Sequence, residues 1–441
     1  MLLSVVVCLA SFLFLVLLLR RKRASLGLPI AYLASLLLIH VPGPIAYMLD
    51  DKDILTDDLY TEIGVVFAAI GALCFVIGVW FAHLRGKPVV PVPAARTTFW
   101  NFSLYGGILI TTISYILRVP TFGAILQKAG PIWMLAVMCG LRSALRRRDT
   151  ISSWRWLGTL ALYPTLMLLL GGFLSYGSTV AITVLSALAV TARSGKRVFF
   201  STLVLVYFGI SVFLGYFQNR TEIREAVWGG QDTESRIAVS LGAIEDVAFF
   251  NPDNPYHLKA FDLRLNQNYF SGLAAWRIQA GMVDYLYGKS VWEGVLAVIP
   301  RALWPDKPIK AGSPKIVGQM TGLQLSQTTS FGVGNVMEFQ INFGIPGVII
   351  GFLLLGFSLG WLDRRASEEE AKGELGNVYL YFLPAIAIIQ PNGSFVEITS
   401  GAVAALVGAH VWRWAWERWP KPKDRRLAAA AASRQLVRTA T

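Results

Sequence analysis

Apolar residues run along this chain in blocks of about the length that a bilayer core requires, roughly 20 residues per helix. They occupy Leu2 to Leu19, Leu28 to Leu49, Ile63 to Phe81, Phe99 to Leu117 and Phe122 to Leu141. A doublet fills Trp156 to Val190, with a break near Gly171, Gly172 and Gly177, and is followed by Val198 to Phe217, Ile341 to Leu362, Val378 to Ile389 and Phe395 to Val411. The pattern predicts an all-α polytopic membrane protein with about eleven transmembrane helices. The first block carries its charges after the apolar stretch and lacks an obvious small-residue cleavage site, so it reads as a retained helix.

Polar positions divide the chain into four parts: an N-terminal bundle over 1–218, a long polar segment over 219–340, C-terminal spans over 341–413, and a basic tail over 414–441 with an alanine run, expected to be disordered. The long segment exceeds any simple connector. Its aromatic anchors, among them Phe249, Phe261, Tyr269, Trp276, Trp292 and Trp304, predict that it folds. Within it, Tyr269 to Leu286 reads as a helix with Leu273, Trp276, Ala280, Val283 and Tyr287 on one face, and Val291 to Ile299 as a second that ends at Pro300. Short helices of this kind suit a membrane interface.

Composition agrees: 54% of the residues are hydrophobic and 15% charged. The formal charge of +13 would suggest nucleic acid in a soluble protein. Here the excess is topological. Basic residues concentrate in alternate loops, at Arg20 to Arg23, at Arg85, Lys87 and Arg96, at Arg142 to Arg148, at Arg193 to Arg197, at Arg364 and Arg365, and in the tail. The positive-inside rule makes these loops cytoplasmic and puts the N-terminus outside and the C-terminus inside. The acidic loop Asp50 to Asp58 and the long segment then face outward, and the latter is near neutral, with 11 Lys and Arg against 12 Asp and Glu.

Cys8, Cys74 and Cys139 fall inside apolar blocks, so they imply neither disulfides nor a thiol nucleophile. His40, His83, His257 and His410 show no metal-ligand spacing. Asp51-Lys52-Asp53 has the form of a D-x-D motif, but an acidic outward loop is also what the charge asymmetry leaves behind. No metal or other cofactor is expected. Two ionisable residues interrupt apolar blocks, Lys128 and Glu397, and the latter is a candidate for a polar contact within the bundle.

The candidate chemistry lies in the outer segment. Arg277 beside Trp276, and Arg301 within Ile299-Pro300-Arg301-Ala302-Leu303-Trp304, are cations among interfacial apolar residues. Each is either a snorkelling arginine or one arm of an anion site. Lys307, Lys310 and Lys315 follow in a Pro- and Gly-containing stretch able to gather cations around one diphosphate. Glu338, ahead of the block at Ile341, is either a helix N-terminal charge or a general base.

The stretch Tyr287-Gly288-Lys289-Ser290, then Pro300-Arg301-Ala302-Leu303-Trp304-Pro305-Asp306-Lys307-Pro308, then Glu338-Phe339-Gln340-Ile341-Asn342-Phe343-Gly344-Ile345-Pro346-Gly347, resembles Wzy-type polymerases of O-antigen and exopolysaccharide repeat units. The resemblance is most specific from Tyr285 to Gly356. It implies a GT-C-like fold in the bacterial inner membrane with the large loop periplasmic. It also implies a metal-independent glycosyltransferase that moves a growing glycan from undecaprenyl pyrophosphate to a sugar hydroxyl of a lipid-linked repeat unit. A flippase and a chain-length regulator are the partners it implies, and nucleic acid is not one. On this reading Arg277, Arg301, Lys307 and Lys310, with Arg236, meet the pyrophosphates, Glu338 meets the acceptor hydroxyl, and Tyr269, Trp276 and Trp304 either stack on sugars or anchor the loop at the interface. The related proteins often carry an arginine after a small-residue turn between mid-chain helices, and Ser175-Tyr176-Gly177-Ser178-Thr179 has none. An O-antigen ligase or another lipid-dependent transferase, a flippase or transporter, and a noncatalytic scaffold are the alternatives. Tyr256-His257-Leu258 does not resemble the ligase histidine motif, and no inverted repeat of the transporter kind is visible.

Overall fold

The computed structural model describes the chain except residues 23–24, 51, 53, 85–95, 117–121, 172–173, 192–194, 219–221, 223–224, 226–248, 300–303, 305, 308–312, 326–331 and 420–441. Among the described residues there are helices and no strands, as expected where backbone groups must be satisfied away from water. Among the described residues six stretches are long and apolar enough to cross a membrane, and shorter apolar helices accompany them.

The N-terminal bundle comprises α1 (Leu2–Lys22), α2 (Leu28–His40), α3 (Pro42–Leu49), α4 (Asp58–His83), α5 (Arg96–Ile116), α6 (Phe122–Ala129), α7 (Ile132–Arg147), α8 (Thr150–Gly171), α9 (Leu174–Thr191) and α10 (Gly195–Gln218). Two apolar blocks are thus each split into two helices. Proline causes both breaks, because it lacks the N–H that would continue the ladder: Pro42 and Pro44 interrupt the second block, and Pro131 the fifth. Ser175 to Thr179 does not form a turn; these residues are the opening of α9.

The outer segment contributes α11 (Pro255–Arg264), α12 (Gln267–Gln279), α13 (Lys289–Ala297) and α14 (Ser313–Thr321). Rather than forming a separate platform, α12 is seated on the start of α4. A Cβ on Gly64 would lie 2.0 Å from the carbonyl oxygen of Asn268, and one on Gly272 1.8 Å from that of Tyr60. Helix α12 ends earlier than its apolar spacing predicts, because Gly281 turns the chain at φ +67°. Ala280 and Tyr287 therefore stand exposed instead of extending the face begun by Leu273.

The C-terminal part holds α15 (Asn335–Lys372), α16 (Leu375–Ile388) and α17 (Phe395–Arg418). Helix α15 starts at Asn335, ahead of the apolar block at Ile341, and is broken at Phe343 (φ −142°) and Gly344 (φ +65°) just before Pro346. Its long second half lies against α4 through small residues: a Cβ on Gly78 would meet the backbone of Leu353, and one on Gly356 the backbone of Phe75. Close backbone approach of this kind is how membrane helices gain packing without a hydrophobic drive. At the far end Asp363 accepts hydrogen bonds from the amides of Leu26 and Leu28, which satisfies the start of α2.

Candidate functional site

Residues 335–342 form a short buried helix in which Asn335, Glu338 and Asn342 are tied to neighbours. Its first amide donates to the carbonyl of Pro391 (2.8 Å), and the Asn335 side chain accepts from Tyr32 Oη (2.7 Å) and donates to the carbonyl of Gly393 (3.3 Å). At the other end the break frees the carbonyl of Ile341, which accepts from the amide of Leu286 (2.8 Å). Asn342 accepts from the amide of Gly288 (3.0 Å) and donates to Ser290 Oγ (2.7 Å) and to the carbonyl of Glu338 (2.7 Å). Segment 285–290 of the outer region is thereby fastened to the break.

Glu338 is completely enclosed, at 0% exposure. Its Oε2 accepts from the amide of Phe395 (2.7 Å), so the carboxylate caps the N-terminus of α17 from another helix. Its Oε1 is buried without a hydrogen-bond partner. The Ser290 hydroxyl is a hydrogen-bonding neighbour of the carboxylate, and the charges of Glu397 and Glu293 reach it. Glu397 itself closes a capping box with Ser394 at the start of α17, and its charge reaches Lys128, whose side chain packs on Gly401.

Arg277 lies in the last turn of α12, half-buried, with its guanidinium over Gly322, where a Cβ would come within 2.5 Å of Nη1. Gly322 itself sits at φ +75°, a conformation that favours glycine. Among the described residues Arg277 forms no ion pair, and its Nε is buried without an acceptor. Arg277 and Glu338 do not bond each other, yet they sit beside one apolar cluster: Ala274 of α12 packs with Met337 and Ile341 of the short helix.

Lys307 has a different place from the one its spacing suggests. At 8% exposure, its ammonium donates to the carbonyls of Leu296 (3.3 Å), Ala297 (3.0 Å) and Ile299 (2.9 Å). All three donors close the C-terminus of α13, so Lys307 is a helix cap and is set aside as an anion ligand. Trp304 is half-buried, and its carbonyl accepts from the amide of Lys307 (3.3 Å). Arg236, Arg301 and Lys310, like Asp51 and Asp53, lie outside the described residues. His257 is buried, and its Nδ1 accepts from the amide of Asn251 (3.1 Å), which is a local structural role.

Sequence reasoning missed a buried polar network joining the outer segment to the bundle. His40 Nδ1 meets Asn268 Oδ1 (2.7 Å), and Asn268 Nδ2 donates to the carbonyl of His40 (2.8 Å) and to Asn266 Oδ1 (3.2 Å). Asn266 Nδ2 in turn donates to Thr61 Oγ1 (2.8 Å) and Asp262 Oδ1 (2.7 Å). The two asparagines at the start of α12 were the available signal. Burial raises the carboxyl of Asp262 above the ordinary aspartate range, against hydrogen bonds that pull it down.

Fold and site together define a polytopic helical membrane protein in which a long polar segment is docked onto a broken, polar-lined helix. Comparison with family models, with curated proteins and with solved structures finds no match to this chain.

Proposed function

We propose that the chain is a GT-C-like membrane glycosyltransferase of the Wzy-type polymerase kind, with about eleven spans by its hydropathy pattern. It sits in a bacterial inner membrane with the outer segment periplasmic and the C-terminus cytoplasmic. It joins lipid-linked repeat units into a surface polysaccharide, working beside a flippase and a chain-length regulator. The observation that carries the reading is Arg277: a half-buried guanidinium with no acidic partner among the described residues, beside the helix that bears Glu338. A cation left unpaired in an interfacial setting favours an anion, and charge-assisted hydrogen bonds of about 1.5–3 kcal/mol each suit a pyrophosphate.

In the reaction the acceptor oxygen bonds to C1 of the donor glycan as the bond from C1 to the pyrophosphate oxygen breaks. The electron pair leaves with the diphosphate, where Arg277 and, in this reading, Arg301 and Lys310 stabilise the developing charge. Arg236 and Trp304 remain outer candidates for substrate contact. Glu338 is the candidate acceptor of the hydroxyl proton, through its unpartnered Oε1, in a state that uncovers it. Orientation of the two substrates supplies the rest.

The product distribution of a deletion strain tests the class. A polymerase deletion leaves single lipid-linked units, whereas a ligase deletion accumulates long lipid-linked polymer. A transporter deletion traps the units on the cytoplasmic face.

A further inference from the structure

The start of α4 and helices α11 and α12 bring together half-exposed residues that are far apart in sequence: Asp57, Tyr60, Asp262, Tyr269 and Trp276. Tyr60 stands edge-on to Tyr269 (ring centroids 5.9 Å) and to Trp276 (5.8 Å). The Tyr269 hydroxyl feels the charges of Asp57 and Asp262 and lies near Tyr60. Arg277 follows Trp276 on the same helix. We propose that this face is a saccharide-recognition site that binds the sugar next to the pyrophosphate of a lipid-linked glycan.

The chemistry of the face matches such a ligand at both ends. Aromatic rings present a negative π-surface that attracts the polarised C–H groups of a pyranose. Carboxylates accept hydrogen bonds from hydroxyls, and phenols both donate and accept. An anionic group is repelled by Asp57 and Asp262 and drawn to Arg277, so a molecule with phosphate at one end and a polyol at the other has one favourable orientation. Two carboxylates with no further metal-ligating group gathered among the described residues do not make a metal cage. A plain interfacial aromatic anchor does not account for the carboxylates set beside the rings.

The site is also held in register. Asp262 accepts from Asn266 (2.7 Å), which is locked through Asn268 to His40, so the acid is tied to the bundle by hydrogen bonds. The proposal deepens the polymerase reading, since it names how that enzyme orients its glycan.

The test uses the full chain in nanodiscs and phosphate-free oligosaccharides released from the producing cell's own envelope glycan, with binding followed by tryptophan fluorescence and calorimetry. Wild type is expected to bind, and Asp262→Asn and Tyr60→Ala to bind at least tenfold more weakly. Asp262→Asn keeps the side-chain shape and the acceptor for Asn266, and melting curves verify its fold. No binding by wild type, or undiminished binding by Asp262→Asn, overturns the proposal. Failure of the polymerase reading looks different: the deletion strain would keep its normal polymer while oligosaccharide binding and its dependence on Asp262 persisted.

Discussion

At the scale of single residues, the structure separates groups held by structural bonds from groups left with chemistry to do. Lys307 is of the first kind. Replacing it with methionine removes one donor from each of three carbonyls near the end of α13, of which that of Leu296 still accepts from the Ile299 amide, and at about 0.5–1.5 kcal/mol per bond the variant should show faster hydrogen exchange over 289–299. Glu338 combines both kinds. Glutamine preserves the acceptor for the Phe395 amide but removes the basicity, so Glu338→Gln should accumulate at normal levels and lose polymerisation at least tenfold. Full activity in that variant would leave Glu338 a cap alone.

Asp262 gives a pH signature. Burial raises its folded pKa above that of the unfolded chain, so its contribution to stability is greatest below the unfolded value and is lost as pH rises through the folded one. Asp262→Asn removes that penalty. Its melting temperature should exceed that of wild type at pH 7, with the gap closing as the solution is acidified toward pH 4. Arg277 was legible from the sequence as a cation among apolar neighbours. The capping role of Lys307 was not, because it depends on the Lys307 ammonium returning to carbonyls eight to eleven residues earlier, which spacing alone does not encode.

At the scale of elements, hydropathy located the apolar blocks well and failed where polar residues are buried. Asn335, Glu338, Gln340 and Asn342 make the first part of α15 look like loop, so the block seemed to begin at Ile341. Asn335, Asn342 and one oxygen of Glu338 find partners on α2, on 288–290 and on 391–395, which are distant in sequence. The prolines in the second and fifth blocks did signal breaks, but breaks within a span are invisible to a sliding hydropathy count. The hinge at Gly344 is the most exacting backbone position. With φ +65° and ψ −148° it occupies a region almost reserved for glycine, and a Cβ there would approach Tyr285 Oη to 3.2 Å. Gly344→Ala should cost about 1–3 kcal/mol and free the 285–290 segment, seen as new protease cleavage there.

At the scale of the whole molecule, the alternation of basic and acidic loops is the basis of the proposed topology, which is directly testable. Cys8, Cys74 and Cys139 are buried, so a cysteine added at an exposed position reports alone. Gln279→Cys should react with an impermeant thiol reagent on cells with a permeable outer envelope, and Thr150→Cys only after the inner membrane is opened. The seating of α12 on α4 was not legible beforehand. Glycines such as Gly64 and Gly272 permit close approach, but nothing in the sequence pairs one with the other.

The central claim is that Arg277, which has no acidic partner among the described residues, serves a lipid pyrophosphate. The direct measurement is polymerisation in proteoliposomes that carry the native lipid-linked repeat unit, comparing wild type with Arg277→Ala and Arg277→Lys at equal protein levels. The account predicts long glycan ladders from wild type, single units only from alanine, and partial ladders from lysine, which keeps the charge but not the planar fork. Normal ladders from Arg277→Ala would contradict it.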